Sequence, residues 1–151
     1  MKFNKEIYLG NKLISNKSPT FVIAEAGVNH GGNINIAKEL IDLAVYANAD
    51  AVKFQTFKAE NLILNDVQKA LYQKQTTEEN ESQFDMLKKL EVSQEQNRLL
   101  KKYCLEKNII FLTTPFDEKS LEDLNELNLI AYKVASTDTT NIPFLEKIAK
   151  K

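Results

Sequence analysis

Phe21-Val-Ile-Ala-Glu-Ala-Gly-Val-Asn-His-Gly-Gly-Asn33 opens as a short apolar run, Phe21 to Ala24, with the composition of a strand buried on both faces. One carboxylate, Glu25, stands where that strand is expected to end, and three glycines follow within six residues, Gly27, Gly31 and Gly32. A segment of helical period begins directly afterwards. Strand, acidic tip, glycine-rich turn and helix form the layout in which α/β proteins place chemistry at the carboxyl end of a parallel strand.

The layout repeats downstream. Residues 35–47 carry Ile36, Leu40, Leu43, Ala44 and Ala47 on one helical face, with Asn33 or Asn35 available as cap. Ala51-Val-Lys-Phe-Gln-Thr-Phe57 reads as the second strand and carries Lys53 and Gln55 on one side. Ser93 caps a second helix whose apolar side holds Leu99, Leu100, Tyr103 and Cys104, and Ile109 to Leu112 is the third strand, running into Thr113-Thr-Pro-Phe116. Asp117 caps a third helix with Leu121, Leu124 and Leu127 facing inward. Leu129 to Ala135 reads as a fourth strand carrying Lys133, followed by the hydroxyl-rich loop Ser136 to Thr140 and by a helix with Pro143 in its first turn. Before all of this, Glu6-Ile-Tyr-Leu and Lys12-Leu-Ile flank Gly10-Asn11 as a small hairpin placed to plug one end of the sheet. Residues 58–92 are the least regular part, with a polar run over 73–81 and one helix near Ser82 to Leu90; an excursion of that length reads as a lid or rim over a site.

The order βαβαβαβα requires a parallel sheet, either open and doubly wound or part of an eight-stranded barrel. The polar residues favour the barrel. Glu25, Lys53, Gln55, Thr114, Lys133, Ser136 and Asp138 fall on or just after all four strands. A barrel collects its site from every strand end, whereas a doubly wound sheet concentrates it at one switch point.

A net charge of −1, from 20 basic and 21 acidic residues, predicts neither a general nucleic-acid binder nor a membrane-surface protein, so any anion site must be local. The single cysteine, Cys104, rules out an intramolecular disulfide and suits a reducing cytoplasm. Its place on a buried helix face makes it a core residue. Two lysines on strands, with Thr114 and Ser136 beside them, form a plausible cradle for a phosphate and a carboxylate. Glu25, Gln55 and Asp138 are better suited to sugar hydroxyls and amides. The inventory therefore points to a small phosphorylated acid beside a polyol. The plainer alternative is that each lysine is held in a buried ion pair. His30, the one histidine, sits in a turn where a structural role is the commoner one. The glycine pattern is neither the dinucleotide nor the P-loop fingerprint, and no spacing here assembles a metal site.

Ala24-Glu-Ala-Gly-Val-Asn-His-Gly-Gly-Asn33, Val52-Lys-Phe-Gln-Thr-Phe57, Thr113-Thr-Pro-Phe-Asp117 and Tyr132-Lys-Val-Ala-Ser136 resemble, in order, the signature motifs of the N-acetylneuraminate (sialic acid) synthase family, as does the stretch from Tyr72 to Leu90. The resemblance covers residues 20–150 and looks closest to bacterial sialic and legionaminic acid synthases. It implies a (β/α)8 TIM barrel, of which residues 1–151 would supply an amino-terminal hairpin and about the first four βα units. It implies condensation of phosphoenolpyruvate with an N-acetylmannosamine-type sugar, a divalent metal (manganese or magnesium), and a homodimer in the full-length family. By motif position, Lys53, Thr114, Lys133 and Ser136 would hold phosphoenolpyruvate, and Glu25 and Gln55 would hold the amino sugar, with Asp138 beside them. Glu25, Lys53 and Lys133 are the expected catalytic groups. The family's metal-binding histidines and small carboxy-terminal domain belong to a later part of its sequence, so the metal ligands are not expected in this chain, which is expected to be inactive alone. Another phosphoenolpyruvate-condensing keto-acid sugar synthase, or a non-catalytic half-barrel module, are the alternative readings.

Overall fold

A computed structural model describes residues 4–64 and 82–151 of the chain. The polar run 73–81 and the first part of the motif beginning at Tyr72 lie outside the described residues.

The hairpin forms as expected. Strand β1 (Glu6–Leu9) pairs antiparallel with β2 (Lys12–Ser15), in register Glu6↔Ser15 to Leu9↔Lys12. Gly10 takes φ +59° at the turn, a conformation that a side chain would strain. Three parallel strands follow, β3 (Ile23–Gly27), β4 (Ala51–Thr56) and β5 (Ile110–Pro115), hydrogen-bonded in the order β3-β4-β5. Between β3 and β4 runs helix α1 (Ile34–Tyr46), capped by the Asn33 side chain on the amides of Asn35 and Ile36. After β4 come the single turn α2 (Ala59–Leu62), then α3 (Gln83–Lys89) and α4 (Gln94–Glu106); α5 (Glu118–Asn125) and α6 (Ile142–Ala149) complete the described helices. Ser93 and Gln96 close a reciprocal capping box on α4, which satisfies two amides at that helix start.

Helix α1 packs on β3 and β4, α4 packs on α1 and β5, and α5 packs on β5 and α4. The helices therefore share one layer while the strands advance in sequence order. That is single winding, as in a barrel; a doubly wound sheet reverses its strand order and sends helices to both faces. Ala37, Ile41 and Ala44 of α1, Leu100 and Cys104 of α4, and Val52, Phe54 and Phe111 of the strands make the core of this sandwich. The rings of Phe54 and Phe111 stack at 5.8 Å between centroids. Each such side chain contributes about 1.5–3 kcal/mol by leaving water. A buried polar set is stitched into the same layer: the Thr56 hydroxyl lies 2.9 Å from that of Thr113 and donates to Asn97 Oδ1 at 3.3 Å. Leu99, expected on the inner side of α4, is instead 42% exposed, because Leu100 and Cys104 already fill the seam against α1 and the sheet.

Alternation along β4 turns Val52, Phe54 and Thr56 to the helices, so Lys53 and Gln55 stand on the helix-free face, the side that is the interior of a barrel. The hairpin lies at the opposite end from the strand carboxyl termini. Lys12 Nζ pairs with Asp50 just before β4 at 2.9 Å, and the Gly10 turn rests near Ile110 and Ile130. It caps the amino end of the sheet.

Two expectations are corrected. The first parallel strand runs Ile23–Gly27, two residues later than Phe21 to Glu25, because Val22 is already engaged at the sheet's amino end: the Asp50 carboxylate binds its amide at 2.8 Å, and its carbonyl accepts from Asp50 and Ala51. Glu25 consequently lies inside the strand, directly opposite Lys53, rather than at its tip. Residues 129–135 do not form a regular strand. Only the Lys133 amide bonds to β5, on the Thr113 carbonyl at 3.2 Å, and an edge segment held on one side lacks the two-sided ladder that fixes β4.

Candidate functional site

In the parallel register, Glu25 pairs with Lys53 and Lys53 with Leu112, while Gln55 pairs with Thr114. Glu25, Lys53, Gln55 and Thr114 therefore share the helix-free face. Lys53 Nζ is bound by Glu25 Oε2 in an ion pair; the lysine side chain is 9% exposed and that of the glutamate 54%. A buried ammonium without a counter-charge would be costly, and Glu25 supplies that charge from the neighbouring strand. The register slips by one residue between Glu25 and Gly27, a bulge that turns the end of β3. Gly27 sits there at φ +53°; a Cβ on it would lie 3.2 Å from Glu25 Oε1 and 3.4 Å from Gln55 Nε2. The missing side chain leaves a hollow flanked by an acceptor and a donor. Thr114 is buried, and its hydroxyl has no hydrogen-bond partner among the described residues.

Beyond β3 the chain descends into α1 through overlapping turns: Asn29 bonds back to Ala26, Gly31 to Val28 and Asn33 to His30. His30 is 2% exposed, its ring tilted against Phe54 at 6.1 Å. Its Nδ1 accepts from the Gly32 amide at 2.9 Å, which places the proton of the neutral ring on Nε2, an atom buried without a partner. Burial holds the His30 pKa below the ordinary histidine value. Gly32 is pressed against the end of α3: a Cβ there would come within 2.2 Å of the Lys89 carbonyl oxygen.

Asp117 does more than the cap role visible in the sequence. One carboxylate receives the Ser120 amide (2.9 Å) and hydroxyl (2.6 Å), the Lys58 amide (2.9 Å) and Asn61 Nδ2 (3.1 Å). With Glu91, which accepts the Ala59 amide at 2.8 Å, it clamps the start of α2 at the carboxyl ends of β4 and β5. Sequence spacing gave no sign of contacts between residues 56 and 59 positions apart; only the short-range cap pattern Asp117-x-x-Ser120 is local. A cavity of about 490 Å³ opens beside this clamp, lined by Asn61, Phe116, Asp117, Glu122, Asn141 and Phe144, but it does not contain Glu25 or Lys53.

The remaining expected residues are not joined to the Glu25–Lys53 pair. Lys133 is exposed, beside β5 through its backbone. Ser136 and Asp138 lie on a 3₁₀ turn, Ser136 exposed and Asp138 accepting from Asn141 Nδ2 at 3.4 Å. Cys104 is fully buried, and burial pushes its thiol pKa up to about 12, as a core cysteine should be. Among the described residues no three His, Cys, Asp or Glu side chains converge to hold a metal ion, and Glu25 is committed to Lys53. No helix among the described residues is long and apolar enough to cross a membrane.

The family model for the NeuB family matches residues 40–151. The chain belongs to the NeuB family. An N,N'-diacetyllegionaminic acid synthase of Campylobacter jejuni is 50% identical over 131 residues, which are 87% of this chain and 39% of that protein. The N-acetylneuraminate-9-phosphate synthase of Homo sapiens is 38% identical over 140 residues, 91% of this chain and 38% of the relative. The crystal structure of an N-acetylneuraminic acid (sialic acid) synthetase from Leptospira borgpetersenii, in complex with citrate, superposes with a TM-score of 0.76 at 38% identity, over 93% of this chain and 45% of that one. The chain thus spans under two fifths of the length of these curated relatives, and its fold is the corresponding part of the NeuB-family barrel.

Proposed function

We propose that this chain carries part of the catalytic face of a nonulosonic (sialic-type) acid synthase, which joins phosphoenolpyruvate to an N-acetylmannosamine-type sugar and releases phosphate. The observation that carries the reading is the row Glu25, Lys53, Gln55 and Thr114 on the interior face of a sheet with barrel order. The names of the relatives, legionaminic acid and N-acetylneuraminate-9-phosphate synthases, support the substrate class.

In this reaction the methylene carbon of phosphoenolpyruvate forms a bond to the sugar's aldehyde carbon, whose oxygen takes up a proton. Water adds to the cationic carbon left behind, losing one proton, and the resulting tetrahedral centre breaks its bond to the phosphate oxygen while its hydroxyl proton passes to the departing phosphate, leaving the keto acid. Lys53 compensates the anionic groups through this passage, and the unpartnered Thr114 hydroxyl donates to them. Lys133 and Ser136 are assigned as further donors to the anion by motif position alone. Glu25 Oε1 and Gln55 Nε2, across the Gly27 hollow, receive and donate to sugar hydroxyl and acetamido groups, with Asp138 completing that side. The activity needs the greater length that the relatives have, and residues 1–151 by themselves are expected not to turn over.

The test is phosphate release by the whole protein, as its host makes it, from phosphoenolpyruvate with N-acetylmannosamine or its diacetamido analogues in the presence of a manganese or magnesium salt. Lys53→Met is expected to lower kcat/KM by about a hundredfold or more, the scale of removing one charge-stabilising donor. No sugar-dependent release with any of these sugars refutes the proposal.

A further inference from the structure

We infer that Glu25 is a positioning residue that holds the Lys53 ammonium until an anionic substrate takes it, so that the anion subsite and the sugar subsite share one ion pair. The inference rests on the proposed assignment of Lys53 to the anion and Glu25 to the sugar.

The geometry gives each oxygen of Glu25 a different task. Oε2 binds Lys53, and Oε1 faces the Gly27 hollow, 3.2 Å from the position a Cβ would take, with Gln55 Nε2 on the other side. Lys53 has no other ion-pair partner among the described residues, and its neighbours on the same face, Leu112, Gln55 and Thr114, are uncharged. Its side chain is nearly buried, whereas that of Glu25 is half in water. The lysine is therefore the fixed member of the pair and the glutamate the one that can move.

An anion arriving at Lys53 meets a carboxylate already in place. It must share the ammonium with a like charge a few ångströms away, which weakens its binding. A sugar hydroxyl that binds Glu25 takes up part of the carboxylate's hydrogen-bonding capacity and draws it toward the hollow. Lys53 is then left for the anion. Coupling of this kind is reciprocal, so each substrate tightens the other. The carboxylate that serves the sugar thus opposes the anion when no sugar is present.

The test is calorimetric binding of phosphoenolpyruvate to the whole protein without sugar, for the wild type, Glu25→Gln, Lys53→Met and the double variant. Glu25→Gln is expected to bind phosphoenolpyruvate about five- to tenfold more tightly, the size of one like-charge contact relieved at a partly solvated site. Lys53→Met is expected to bind weakly, and adding Glu25→Gln to it should recover only part of the loss, because it relieves the like charge without restoring the ammonium. A merely structural role for Glu25 would weaken binding instead. Should Glu25→Gln not fold, Glu25→Asp withdraws the carboxylate by one methylene and is expected to fall between the wild type and the tighter value. Binding by Glu25→Gln or Glu25→Asp that is no tighter than wild type, with Lys53→Met impaired, overturns the inference and leaves the synthase reading standing. Absence of binding in both the wild type and Glu25→Gln overturns both.

Discussion

Gly32→Ala tests how firmly the glycine-rich turn is locked to the helix that returns from the long excursion. Gly31→Ala is its internal control. Both glycines have positive φ, +57° at Gly31 and +79° at Gly32, so each alanine carries left-handed strain of about 1–2 kcal/mol. They differ in what the new methyl meets. At Gly31 nothing among the described residues lies within 4 Å; at Gly32 the Lys89 carbonyl oxygen lies 2.2 Å away, and it is backbone at the end of α3, not a side chain that can swing aside. An ordinary contact needs roughly 1 Å more, so either the turn or the last turn of α3 must shift, adding about 1–3 kcal/mol by analogy with overpacked cores. The expected cost is therefore about 1–2 kcal/mol for Gly31→Ala and about 2–5 kcal/mol for Gly32→Ala. Urea denaturation of the two variants beside the wild type, with m-values compared, measures the difference. If Gly32→Ala is no more destabilising than Gly31→Ala, the turn and α3 are not in contact as described, and the excursion is not anchored at the site.

Asp117→Ala leaves the Ser120, Lys58 and Asn61 donors without their acceptor and is expected to cost about 2–4 kcal/mol, with Asp117→Asn recovering part of it; thermal denaturation of both variants is the check. His30 is the one histidine and its pKa is lowered by burial, so the folded protein binds fewer protons there than the unfolded chain. Its contribution is then complete above the unfolded value of about 6.5 and is lost as pH falls toward the depressed folded value. Stability measured from pH 7 to pH 5.5 should fall, and His30→Asn should flatten that slope; an unchanged slope would place the proton uptake elsewhere.

Much of the fold was legible because it depends on local rules. Asn33, Ser93 and Asp117 cap helices where their side chains reach an amide two or three residues on, an interaction written within one turn of sequence. The alternation in Val52-Lys-Phe-Gln placed Lys53 and Gln55 together on one face before any partner strand was known. The segment 129–135 misled for a related reason: its apolar composition is that of a strand, but a strand is completed by hydrogen bonds to neighbours, and here only the Lys133 amide finds one. Of the two roles weighed for a strand lysine, the ion pair is present in the structure, with Lys53 on the face it shares with Gln55 and Thr114.

The sequence by itself determined the order of the three parallel strands and of the helices between them, the helix starts, and the alternation that puts Lys53 and Gln55 on one face, because capping, periodicity and turn chemistry act over a few residues. Only the tertiary structure decided the register. Setting β3 two residues further on moved Glu25 from a strand tip to a place opposite Lys53, beside the hollow at Gly27; the packing of the other elements brought Gly32 against α3 and Lys58 and Asn61 to Asp117. Each of these joins residues more than twenty positions apart or depends on which strand residue faces which, and that is fixed by how the sheet and its helix layer pack together rather than by any stretch of chain alone.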